Sequence, residues 1–143
     1  MRAAVARRVR RDRRGLYLAI AGAGWVLYGV QVAADPRPGT VRGAAVLAEL
    51  APLRVWGWVW ICCGAVALLA SVSTRPAVRT VGFTMAEFPP LLWALGFAAA
   101  WLGGQYPQAW AGAATWASAA LRLMVVAGWP DRTPVAGGEG TGG

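Results

Sequence analysis

The sequence predicts an all-α membrane protein: four transmembrane helices in an antiparallel bundle, with a short interfacial helix between spans one and two. Three observations carry that expectation. Of 143 residues, 57% are hydrophobic and only 14% are charged, against about a quarter charged in ordinary soluble domains. The apolar residues gather in four runs of a length that crosses about 30 Å of hydrocarbon at a rise of about 1.5 Å per residue. The fourteen arginines lie almost wholly outside those runs, seven of them within the first fourteen residues.

Residues 1–14 form a basic flank, in which Arg7, Arg8, Arg10, Arg11, Arg13 and Arg14 are the strongest topology signal in the chain. The membrane domain follows over residues 15–130. Its first span, 16–34, is uncharged and carries Gln31 as its one strongly polar side chain. A signal peptide is the competing reading, because Val32-Ala33-Ala34 resembles a small-residue cleavage site; the apolar stretch is longer than the ~7–15 residues such peptides use. Asp35-Pro36-Arg37-Pro38-Gly39 is turn chemistry. After it, residues 40–51 read as a helix lying flat on the membrane, with Val46, Leu47, Leu50 and Leu53 as its apolar residues; a buried half-span is the alternative.

The second span, 55–73, opens on Trp56, Trp58 and Trp60. Indole pairs an apolar ring with one N–H donor and favours the headgroup level, so these three, with Trp129 at the other end of the domain, are read as interfacial anchors. The third span, 83–103, meets Pro89-Pro90 directly after Glu87. Either the helix enters near Val81 and bends at the pair, or the true span begins at Pro89. The fourth span, 109–128, shows small residues every four positions, Ala111, Thr115 and Ala119, a pattern that lets helices approach closely. Gly22 and Gly29 on span one raise the same prospect, within the chain or between copies. Residues 131–143, rich in glycine, form a tail expected to be disordered.

Positive residues stay on the cytoplasmic side during insertion. With the N-terminus inside, ten arginines are cytoplasmic and three, Arg37, Arg42 and Arg54, lie opposite. The expectation is therefore a bacterial inner (plasma) membrane protein with both termini cytoplasmic. Arg122 sits inside span four, at a distance from the tight turn near Gln105 that matches Glu87 on span three. Both charges are costly in hydrocarbon, about 2.5–3.5 kcal/mol each for central positions on insertion scales, so an intramembrane Glu87–Arg122 ion pair is expected. Snorkelling of Arg122 and a proton or cation path through Glu87 are the alternatives.

The chain has no histidine, which removes bis-histidine haem, histidine zinc sites and a Ser-His-Asp triad together. Cys62 and Cys63 are adjacent, without Cys-x-x-Cys spacing, and read as buried thiols. No catalytic, cofactor-binding or metal-binding residue is assigned, and the protein is not expected to be an enzyme. The expected partners are the lipid bilayer, anionic lipid at the basic flank and a second copy of the chain, with no specific nucleic acid.

Arg13-Arg14-Gly15-Leu16-Tyr17-Leu18, Gly24-Trp25-Val26-Leu27-Tyr28-Gly29, Pro36-Arg37-Pro38-Gly39, Leu50-Ala51-Pro52-Leu53, Trp56-Gly57 and Ala127-Gly128-Trp129-Pro130 together resemble small multi-span membrane proteins of Streptomyces-type actinobacterial phages and prophages. These motifs are anchors and turns with no catalytic role. The resemblance implies a non-enzymatic envelope protein, with holin-like membrane permeabilisation as its most concrete form and host-envelope modification as the broader one. A small proton-coupled transporter using Glu87 and a membrane-anchored interaction scaffold are the rival expectations.

Overall fold

The computed structural model describes residues 12–129. The expectations for the arginines at 7, 8, 10 and 11 and for the tail from 131 lie outside them. Six helices make up the described chain: α1 (Arg13–Ala34), α2 (Pro38–Gly43), α3 (Ala45–Leu50), α4 (Leu53–Ser71), α5 (Pro76–Leu102) and α6 (Ala109–Ala127). Of these, α1, α4, α5 and α6 are long and apolar enough to cross a membrane. They pack against one another as a multi-pass helical bundle. One end of it, the terminal end, carries Asp12, the 72–75 turn and Trp129. The far end carries the 35–52 segment and the 103–108 turn.

Local chemistry sets the helix limits. Asp12 caps α1 by accepting the Gly15 amide at 2.8 Å. Pro76 opens α5 with a preset φ and no amide to lose. Gly104, at φ +69°, closes α5 in the left-handed region, with the Gln105 amide returning to the Ala100 carbonyl at 3.0 Å. Consequently α5 starts seven residues before the expected third span. At about 1.5 Å per residue it is about 40 Å long, longer than the hydrocarbon layer.

Pro89 and Pro90 neither start nor end that helix: α5 runs through both, and both are buried. Pro90 has no amide for the Ala86 carbonyl four residues earlier. The Trp25 indole of α1 donates to that carbonyl instead, at 2.8 Å. A backbone acceptor that lipid would leave unanswered is thereby satisfied from another helix.

The tightest contact is between α1 and α4, and glycine makes it. Gly15, Gly22 and Gly29 recur every seven residues on α1, and Gly57, Gly64 and Ser71 do so on α4. They meet in antiparallel register. A methyl group on Gly15 would lie 2.7 Å from the Ser71 carbonyl oxygen, on Gly22 2.7 Å from that of Gly64, and on Gly29 2.6 Å from that of Gly57. Backbone packs on backbone, so the question raised by Gly22 and Gly29 is answered within the chain.

Residues 40–51 fold as two short helices, broken at Ala44, at the far end of the bundle. Thr40, Gly43, Ala44 and Leu47 are buried against α5, whereas Leu50 is 75% exposed. The cause is Phe97: its ring fills the space that side chains at Gly43 and at Gly112 of α6 would need. The sequence periodicity pointed this segment's leucines toward lipid, but two glycines and an aromatic ring draw it into the bundle.

Candidate functional site

At the core of the bundle Trp60 is fully buried among rings from three other helices. Ring centroids lie 5.0 Å away for Trp25, 4.8 Å for Tyr28, 5.4 Å for Trp93 and 5.1 Å for Trp116, the first three edge-on. Edge-on contact aligns the positive rim of one ring with the negative face of another. The Trp93 indole donates to the Tyr28 hydroxyl at 3.0 Å. Trp60 is therefore a core residue, in correction of its reading as an interfacial anchor. Trp56 is half-buried and donates to the Leu47 carbonyl at 2.9 Å, tying α4 to α3. Trp58 and Trp129 are the two of the four that face outward.

Beside this aromatic centre, at the far end, a cleft of about 920 Å³ opens between α1 and α6. Phe97 is its buried aromatic wall, Tyr28, Tyr106 and Trp116 are half-buried, and Leu27, Trp110 and Ala111 are exposed along it. Its polar members are Gln31, Arg37, Thr40, Tyr106 and Gln108. Gln31 donates to the Asp35 carbonyl at 2.7 Å, and the Tyr106 hydroxyl donates to Gln108 Oε1 at 3.3 Å. The cleft exists because α1 and α6 touch each other only sparingly. A second groove along the seam of the same two helices, nearer the terminal end, is lined by Tyr17, Ile20, Gly24, Ala119 and Arg122.

Arg122 lies on this seam, exposed, and turns back onto its own helix: Nε donates to the Ser118 carbonyl and Nη2 to the Ser118 hydroxyl, both at 3.0 Å. The expected Glu87–Arg122 ion pair is not formed. Equal distance from the α5–α6 turn sets depth alone, whereas pairing also needs the two side chains to face each other, and Arg122 faces α1. Glu87, half-buried on α5, lines neither the cleft nor the seam. On α6, Ala111 and Thr115 are exposed and Ala119 borders the seam. The face that packs inside the bundle runs instead through Ala109, Ala120, Leu123 and Val126.

Among the described residues an ion pair joins Asp12 and Arg79 at the terminal end. Arg79 grips both carboxylate oxygens of Asp12, with Nη1 to Oδ1 at 2.9 Å, and its Nε donates to the Ser73 carbonyl at 2.7 Å. Next to it, Arg14 donates to the Ala127 carbonyl at 2.9 Å and stacks over Phe83 at 5.5 Å. These contacts bind the start of α1, the 72–75 turn, the start of α5 and the end of α6. Burial pushes the Asp12 carboxyl up, but hydrogen bonds from Arg79 and the Gly15 amide, with the charges of Arg79 and Arg14, outweigh it and hold the group below its usual value. Sequence reading missed this pair because Asp12 sits within a run of arginines that counts toward topology.

Among the described residues no cluster of three or more metal-ligating side chains occurs, and the thiols of Cys62 and Cys63 are free, the first exposed and the second buried. Compared with known proteins, the chain matches no family model, no curated protein and no solved structure.

Proposed function

We propose that this chain is a non-enzymatic protein of a bacterial inner membrane, of the type that phages and prophages encode, and that it acts by assembling with further copies of itself. Holin-like permeabilisation is the concrete form of that reading and host-envelope modification the broader one. The carrying observation is on α6: Ala114, Thr115 and Ala117 are exposed and border neither the cleft nor the seam. Small residues on a lipid-facing surface let a second helix approach closely. The bundle interior is packed with aromatic side chains, so a lesion would open between copies and not through one. Ten arginines against three support cytoplasmic termini. Glu87 borders neither the cleft nor the seam, so nothing specific favours the transporter.

Timed expression in a bacterium tests the proposal. A holin-like protein collapses membrane potential abruptly, at a fixed delay after induction, and releases a co-expressed lysin; Ala114→Leu with Thr115→Leu should delay the event severalfold. Gradual loss of growth with the lysin retained would refute it.

A further inference from the structure

The cleft between α1 and α6 combines features that a self-assembly role does not use. It is walled by aromatic rings and exposed along Leu27, Trp110 and Ala111, and a second groove lies farther along the same two helices. The neighbouring helices thus leave room for an extended apolar chain lying between them. Arg37, exposed at the N-cap of α2, lines the cleft where the bundle meets the far membrane surface, and no carboxylate pairs with it among the described residues. Around it stand groups with hydrogen-bonding capacity to spare. Gln31 uses its amide N–H on Asp35 and keeps its carbonyl, while Gln108 uses its carbonyl on Tyr106 and keeps its N–H groups. An apolar slot with a cation and an amide donor at its mouth has the polarity of one anionic amphiphile standing upright in a leaflet.

We propose that this cleft is a binding site for a single phospholipid of net negative charge in the leaflet at the far end, its phosphate on Arg37 and its apolar chains along α1 and α6. Guanidinium is suited to this because its planar fork meets two phosphate oxygens at once. The inference is independent of the assembly reading, since one copy of the chain supplies every group it needs.

The test uses the full chain, purified in detergent and stripped of lipid, titrated with phosphatidylglycerol and with phosphatidylcholine, and read by native mass spectrometry. The basic N-terminal flank is present in every variant, so its attraction for anionic lipid cancels in the comparison. The wild-type chain should retain one phosphatidylglycerol, preferred over phosphatidylcholine by about tenfold. Arg37→Gln should cut the preference severalfold, Arg37→Lys should keep most of it, and Arg54→Gln, exposed at the same end of the bundle but outside the cleft, should leave it unchanged. Ala111→Trp, which fills an exposed position on the cleft, should weaken both lipids alike. Equal retention of the two lipids by the wild-type chain overturns the proposal. So does a preference undiminished by Arg37→Gln or cut as much by Arg54→Gln, and so does displacement of the lipid by millimolar inorganic phosphate, which would mark a site for the free anion.

Discussion

Pro90 withholds an amide from the Ala86 carbonyl, and Trp25 supplies one from another helix. In hydrocarbon an unanswered carbonyl costs about as much as the hydrogen bond it lacks, so the pair should behave as a coupled unit. Trp25→Phe is expected to destabilise the bundle by about 1–3 kcal/mol, and by less than half as much when Pro90→Ala restores a local donor. Unfolding of the four proteins in mixed micelles measures this double-mutant cycle; the same loss in both backgrounds would mean that Trp25 contributes through packing alone. Asp12 makes a second prediction. Its carboxyl is held below the ordinary value, so the stability it contributes is present above that value and is lost as pH falls through the folded one. Its side chain is 35% exposed, and solvent screening limits the contribution to about 0.2–1 kcal/mol. The difference in thermal stability between wild type and Asp12→Asn should therefore be constant near neutrality and shrink below about pH 4. A difference that widens in acid would contradict the assignment.

Among the elements, the α1–α4 pair sets the architecture, and its seven-residue glycine spacing explains why. A repeat of seven keeps one stripe of each helix facing its partner over three contacts, and glycine removes the side chains that would hold the backbones apart. Gly22 and Gly24 provide a contrast two residues apart on one helix. A methyl on Gly22 would lie 2.7 Å from a backbone oxygen, whereas Gly24 has open space around it. Gly22→Ala should cost about 1–3 kcal/mol through overpacking. Gly24→Ala should be neutral or stabilising by up to about 1 kcal/mol, the helix-propensity gain. Thermal unfolding in detergent distinguishes them, and equal effects would show that backbone contact does not govern this interface. The spacing was legible in the sequence at Gly22 and Gly29, but its meaning required the matching Gly57, Gly64 and Ser71 on a helix some forty residues away. On α6 the small residues were legible too, yet the buried stripe lies elsewhere on the helix, because a stripe of small side chains shows what can pack closely and not which neighbour it meets.

For the molecule as a whole, hydropathy and length by themselves determined that the described chain is helical and supplies four membrane-crossing segments, since a backbone in hydrocarbon must satisfy its own hydrogen bonds. The connections at 35–37 and 103–108 followed from local residue types in the same way. Only the tertiary structure decided which groups meet. It moved Trp60 from a presumed membrane surface to the centre of an aromatic core, separated Glu87 from Arg122, joined Asp12 to Arg79 and left a cleft between α1 and α6. Depth in a membrane is a one-dimensional quantity that counting residues along the chain supplies. The direction in which each side chain points around its helix axis depends on how the helices are arranged about one another, and that is fixed by close contacts between residues far apart in sequence.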